Sequence, residues 1–352
     1  MRLATPLQIA AGPAWYKKPV PVTVAVDAMG GEQAPDEIVR GVADLSLTAE
    51  GLSLVLVGDE RQITDGLGRL PHNPERIEVR HAGTLPRTSV FAAVDLLAEG
   101  RADAVVSAGV IADGLAACRE KLELIPGVKS PALAAVYPTA LRRGRNEDPF
   151  SLLLDVGATL DPGAEELCAF AALGSAYARA ISRNPRPTVA LLSIDEDPAR
   201  GLPAIVEAHA RLRAMPGIEF KGNLEAVDIP QGSADVIVSG GFVGNVVVTL
   251  LDGVAELVVD LARYAQKQRL LWRVGTTMLT GGLAQLKHLT DWEQYGGAPL
   301  LGYRKLFLRA HPRSGAQAIE NACRVAAKAV SADIPATFAE LWQSRPALDK
   351  TA

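Results

Sequence analysis

The sequence predicts an α/β fold built on a doubly wound, mostly parallel sheet, and three observations carry that expectation. Short β-rich runs alternate with longer helical patterns along the chain. Strand runs such as LSLVLV (52–57) and TVALLS (188–193) are apolar almost throughout, as strands covered by helices on both faces are. Aromatic residues are only 5% of the 352, whereas small aliphatic residues dominate, which suits helices packed on such a sheet.

In chain order, strands are expected at Val22–Asp27, Leu52–Val57, Ile77–Arg80, Ala104–Ser107, Ala132–Val136, Leu152–Asp155, Thr188–Ser193, Ile218–Lys221, Val236–Ser239 and Lys305–Arg309. Helical patterns lie between them, notably Asp36–Leu47, Val90–Glu99, Ala164–Ser182 and Pro203–Arg213. The segment SRNPRP (182–187) is the clearest punctuation and reads either as a division of the chain or as a surface loop. Residues 1–20 read as a loose tail, and 21–345 as a single domain.

Ligands in open α/β sheets sit beyond the carboxyl ends of the strands. Small and acidic residues recur there: Asp27-Ala28-Met29-Gly30-Gly31, Ser107-Ala108-Gly109, Asp155-Val156-Gly157-Ala158, Ser193-Ile194-Asp195-Glu196 and Ser239-Gly240-Gly241-Phe242. Five such turns on one side of a sheet predict a cleft. In the first, VTVAVDAMGGEQAP (22–35), Gly30 and Gly31 either bring backbone N–H groups together for a phosphate or serve only a tight turn.

Bulk properties exclude several classes. A net charge of −4 argues against general nucleic-acid binding. Cys118, Cys168 and Cys323 lie far apart in Ala/Leu-rich runs without metal-ligand spacing, so they read as buried thiols in a reducing cytoplasm. No run of eighteen apolar residues is present. His72, His81, His209, His288 and His311 have no motif context for a Ser-His-Asp triad.

Six motifs, in order, resemble the bacterial phosphate acyltransferases of phospholipid synthesis (PlsX). They are VDAMGGEQAP (26–35), VSAG (106–109), LLDVGATLD (153–161), FKGNLEA (220–226), GGFVGNV (240–246) and YGGAPLLG (295–302). The resemblance spans about Val22 to Val330. It implies a three-layer α/β/α sandwich similar to the isocitrate and isopropylmalate dehydrogenases, usually as a homodimer. It further implies attack of inorganic phosphate on an acyl–acyl-carrier-protein thioester, giving acyl phosphate, with neither metal nor redox cofactor.

Phosphate is itself the nucleophile in that reaction, so the site must hold a dianion and stabilise an oxyanion with preorganised donors and cations. The phosphate-binding candidates are Asp27, Gly30, Gly31, Ser107, Gly109, Gly241, Gly244 and Asn245. Asn245 reads as a donor to phosphate or the acyl oxygen, or as a helix cap. Asp27 is open between substrate and loop roles, and Asp155 reads as a loop organiser. His311 is the candidate general acid toward the leaving thiol, although Pro312 stands where the family has glycine and weighs toward a surface histidine.

Other departures remove polar groups. The family's Asn-Thr-Gly after Ser-Ala-Gly is Val110-Ile111-Ala112 here, followed by an added Asp113; Ser130 replaces an arginine and Thr249 a lysine. Arg87, Lys129, Arg142 or Arg200 could supply charge from neighbouring positions. The alternative readings are a silent paralogue that binds acyl carrier protein or acyl groups, and a coenzyme A-dependent phosphotransacylase. Finally, residues 262–292 read as an apolar, helical protrusion. Within it Leu271, Val274, Met278, Leu279, Leu283 and Leu286, bordered by Arg269, Arg273 and Lys287, make 267–289 a dimer interface first and a peripheral membrane patch second.

Overall fold

In a computed structural model, residues 22–143, 148–268 and 296–345 are described. The elements in order are β1 (Val22–Asp27), α1 (Asp36–Thr48), β2 (Leu52–Gly58), α2 (Glu60–Leu67), β3 (Ile77–His81), α3 (Pro86–Ala98), β4 (Ala104–Ser107) and α4 (Ile111–Lys121). The chain continues with β5 (Ala132–Arg143), β6 (Asp148–Leu154), α5 (Ala164–Ile181), β7 (Thr188–Leu192), α6 (Pro203–Arg213), β8 (Glu219–Leu224) and β9 (Val236–Val238). It closes with α7 (Gly241–Gln268), β10 (Ala298–Leu301), β11 (Leu306–Arg309), α8 (Ala316–Ser331) and α9 (Ile334–Gln343). The expected tail at 1–20 and nearly all of 267–289 fall outside the described residues.

The strands form one eleven-stranded sheet in the order β3-β2-β1-β4-β11-β10-β5-β6-β9-β7-β8. Most pairings are parallel, as the apolar strands demand; the exceptions are β11–β10, β10–β5 and β5–β6. Those three have a large consequence. Strands β1–β5 and β11 run one way, whereas β6–β10 run the other.

Helices cover both faces and complete three layers. One face of the β1-side half packs α1, α2 and α8 through Ile38, Val42, Leu45, Ile63, Ile319 and Ala326. On the same side of the sheet, α5, α6 and α9 cover the other half through Leu167, Phe170, Leu173, Leu212 and Phe338. The opposite face carries α3 and α4 through Val90, Val94, Leu97 and Ala117, with Val247, Val248 and Leu251 of α7 beside them. Small residues set the closest approaches: a Cβ on Gly41 would come within 2.4 Å of the Ala316 carbonyl oxygen, and one on Gly114 within 2.6 Å of the Phe307 ring. All three cysteines are buried in these layers. Burial pushes the Cys118 and Cys323 thiols up to about 12 and Cys168 up to about 11, which leaves them inert as nucleophiles near neutrality.

Three expectations need correction. β10 has no counterpart in the sequence reading; its four residues include a proline. β5 does not stop at Val136 but continues to Arg143, and it pairs antiparallel with β6 across a short connection. The five strand ends consequently do not share one side of the sheet. Asp27 and Ser107 lie at one edge, while Asp155, Ser193 and Ser239 lie at the opposite one.

Candidate functional site

The first edge is built by the carboxyl ends of three neighbouring parallel strands, β1, β4 and β11. Side chains alternate across a strand. Ala25, Val105 and Phe307 pack on the α3/α4 face, so Asp27, Ser107 and Arg309, two residues further on, return to it. Arg309 is in register with Ser107, and Val26 with Val106, which sets the three side by side.

Asp27 organises this edge. Its carboxylate is 1% exposed and accepts hydrogen bonds from the Ser89 hydroxyl at 2.5 Å, the Ser107 hydroxyl at 2.6 Å and the Met29 N–H at 3.2 Å. Burial raises its pKa above the ordinary value, and those bonds pull against the rise. The Ser107 hydroxyl in turn accepts the Gly109 N–H at 3.1 Å, so it bridges two turns. Both Asp27 oxygens face inward, onto Ser89, Ser107 and the Met29 N–H.

The two glycines follow from the same closeness. A Cβ on Gly30 would sit 2.3 Å from the Asp27 carboxylate and 2.8 Å from the Gly109 nitrogen. Gly31 has φ +112°, which disfavours a side chain. Its neighbour on the other side is the connection after β11: the Glu32 N–H donates to the Pro312 carbonyl at 2.7 Å, and the Gln33 amide to that of Arg313 at 2.9 Å. His311 therefore stands at this edge. Its Nδ1 accepts the Arg313 N–H at 3.1 Å, which leaves Nε2 carrying the proton in the neutral ring. His311 is half-buried at this edge.

Helix α4 starts here without a side-chain cap. Val110, in the turn that replaces the family's Asn-Thr-Gly, is 65% exposed, and the Ile111 and Ala112 N–H groups find no backbone acceptor among the described residues. The first turn also carries Asp113, which forms an ion pair with Arg87 at 3.5 Å.

Gly241, Gly244 and Asn245 lie elsewhere. They open α7 at the opposite edge, and five strand spacings separate β1 from β6, about 24 Å. Here Asp155, fully buried, accepts N–H bonds from Leu133 (2.7 Å), Gly157 (3.0 Å), Ala158 (3.0 Å) and Thr159 (2.5 Å). Burial raises its pKa too, against those four donors. Gly241 and Gly244 are needed because a Cβ would come within 2.6 Å and 1.9 Å of Asp155 atoms. The Gly241 and Phe242 N–H groups donate to the Thr159 and Leu160 carbonyls at 2.9 and 3.1 Å. The exposed Asn245 amide donates to Val156 O at 3.3 Å. Asp155 is the loop organiser that the sequence suggested.

The replacement cations proposed from sequence are already paired: Arg87 with Asp113, Lys129 with Glu165 at 2.6 Å, and Arg200 with Asp195. Ser130 donates to Glu166. The side chain of Arg142 lies outside the described set. Arg309 is the cation that sequence reading missed. Burial lowers its pKa below the ordinary arginine value, and its Nε is sealed from solvent without a hydrogen-bond partner. The signal available was an arginine ending the apolar run LFLR.

The fold places the molecule among the three-layer α/β/α sandwiches. A phosphotransacetylase from Streptococcus pyogenes superposes with a TM-score of 0.58 at 17% identity, covering 88% of this chain and 94% of that one. A 4-hydroxythreonine-4-phosphate dehydrogenase from Klebsiella pneumoniae gives 0.50 at 12% identity, covering 90% and 99%. Such identities speak for the fold alone. Sequence goes further: residues 22–337 match the family described as fatty acid synthesis protein. The phosphate acyltransferase of Pelotomaculum thermopropionicum is 38% identical over 320 residues, which cover 87% of this chain and 91% of that relative. That of Moorella thermoacetica is 36% identical over 333 residues, covering 90% and 95%. The chain belongs to the phosphate acyltransferase family.

Proposed function

We propose that the protein transfers the acyl group of an acyl–acyl-carrier-protein to inorganic phosphate for phospholipid synthesis. The observation that carries this reading is the near full-length identity to phosphate acyltransferases. The edge formed by β1, β4 and β11 supports it, because that is where helix-start N–H groups, His311 and a cation converge.

A phosphate oxygen attacks the thioester carbonyl carbon, and the carbonyl oxygen takes up the negative charge. Collapse of the tetrahedral adduct breaks the C–S bond and yields acyl phosphate, and the departing thiolate takes a proton from water; His311 is its donor only as imidazolium, a form in which Nδ1 no longer accepts the Arg313 N–H. Free Ile111 and Ala112 N–H groups suit the developing oxyanion.

Incubation with acyl–acyl-carrier-protein and phosphate, followed by thiol release, tests the reading. Phosphate-dependent release is expected, and acyl-coenzyme A is expected to compete poorly. Its absence from a folded sample, beside an active relative, would refute the activity; preference for acyl-coenzyme A would reassign the donor.

The partner surface of this reading is α7. Val243, Val246, Leu250, Val254, Leu257, Leu261 and Tyr264 recur at three- and four-residue spacing and are 42–64% exposed. A second copy of this chain is the occupant, giving a homodimer. Light scattering of Leu250→Glu/Leu257→Glu is expected to read half the mass of the native protein; an unchanged mass removes α7 from the interface. No helix among the described residues is long and apolar enough to cross a membrane. Peripheral contact at the inner membrane face through 267–289, within a cytoplasmic protein, rests on the sequence of that segment and is tested by flotation with anionic vesicles.

A further inference from the structure

Arg309 poses a physical problem. A guanidinium cannot shed its proton, and this half-buried one has its Nε sealed while its outer nitrogens stay open to solvent. No hydrogen bond or ion pair to this side chain is found among the described residues, and its Nε has no access to water. The contrast with Arg179 is instructive. Its Nε is likewise orphaned, but its Nη2 donates to the Gly217 carbonyl at 2.7 Å.

The carboxylate in the same row does not solve the problem. Asp27 stands two strands away, and both its oxygens are taken by serine hydroxyls. A second orphan lies on the connection after β11: the Ser314 hydroxyl, 1% exposed, finds no partner among the described residues either. The five buried polar side-chain atoms left without partners among the described residues thus include two within residues 309–314, one ending β11 and one in the connection after it.

The strand, not a loop, places the cation. Gly297, just before the neighbouring strand β10, packs on the Arg309 backbone, where a Cβ would sit 2.7 Å from its carbonyl oxygen. Strand placement is rigid, and a rigid planar donor fork suits a tetrahedral oxyanion.

We propose that Arg309 is the cation that binds inorganic phosphate, seated beside Ser107 at the start of α4. This assignment rests on the acyl-transfer reading for the identity of the anion and names the residue that holds it. It also accounts for a site at which Arg87 is already paired with Asp113.

The test is phosphate binding, read without turnover. Thermal unfolding of the native protein in a phosphate titration is expected to show a saturable rise in Tm. Arg309→Gln is expected to keep about the native Tm in phosphate-free buffer, because a half-buried charge without a counter-charge is gone, and to bind phosphate at least about tenfold more weakly. Arg309→Lys keeps the charge but loses the fork, and is expected to bind about threefold to tenfold more weakly. Should the Gln variant fail to fold, the Lys variant decides. A folded variant with native phosphate affinity overturns the proposal, as does a native protein that binds no phosphate. Phosphate bound through Arg309 by a protein that transfers no acyl group would instead sustain the assignment and refute the activity.

Discussion

Two glycine-rich turns at opposite edges of one sheet look alike in sequence and differ in what they leave available. At the α7 start, Gly241 and Phe242 give their N–H groups to Thr159 and Leu160, and Asn245 gives its amide to Val156. At the α4 start, Ile111 and Ala112 have no such acceptors among the described residues, and an unpaired arginine lies close by. Each region is pinned by a buried aspartate ending a strand. The comparison teaches that glycines in such motifs report close backbone approach, whereas binding capacity depends on which donors the protein has left unused.

The largest effect expected from breaking this contrast is in the scaffold region. Asp155→Ala strips four N–H groups of their acceptor and is expected to destabilise the fold by about 3 kcal/mol or more, read from the urea midpoint. Asn245→Ala, on an exposed amide in the same region, is expected to cost about 1 kcal/mol or less and to leave the KM for phosphate unchanged. If Asn245→Ala instead abolishes turnover in a folded protein, α7 belongs to the catalytic edge and the contrast collapses. Ser107→Ala should do the reverse of Asp155→Ala: a modest stability loss with a large fall in kcat/KM.

Much of the fold was legible because buried strands declare themselves as apolar runs. β1, β4 and β7 were readable to within a residue from that signal. β5 was not: its continuation YPTALRR mixes polar residues and a proline, so the strand seemed to end at Val136. That single misreading hid a tight antiparallel pairing with β6, and with it the reversal of half the sheet. The site was accordingly assembled from turns that the chain keeps at opposite edges. Arg309 was invisible for another reason. Its residue type is ordinary, and only tertiary structure reveals that no described residue neutralises it.

An intermediate effect should appear with pH. Burial raises the pKa of both Asp27 and Asp155 above the ordinary 3.8. A raised carboxyl binds its proton more tightly in the folded state, so its contribution to stability is fully present below 3.8 and is lost as pH rises through the folded pKa. The stability of the native protein relative to Asp27→Asn is expected to fall as pH climbs from about 4 toward neutrality, measured by paired urea unfolding. A constant difference would show that hydrogen bonding, not burial, governs this carboxyl. The same series on Asp155→Asn tests whether the two aspartates, with different donors, share one electrostatic logic.

The smallest effect is the most discriminating, because it uses equivalent ion pairs in the two regions. Arg87–Asp113 and Lys129–Glu165 are both solvent-accessible pairs, each worth about 1 kcal/mol or less. Asp113→Asn frees a cation and removes a negative charge at the α4 start; Glu165→Gln frees one near the Asp155 turn. Neither should shift the urea midpoint appreciably. If phosphate binds only at the first edge, Asp113→Asn lowers the KM for phosphate by about twofold to fivefold at low salt, and the gain disappears near 1 M salt, where screening acts over about 3 Å. Glu165→Gln should leave that KM unchanged at every salt concentration. A gain from Glu165→Gln and none from Asp113→Asn would move the anion to the other end of the sheet, because a freed surface charge helps only the site within its screening length.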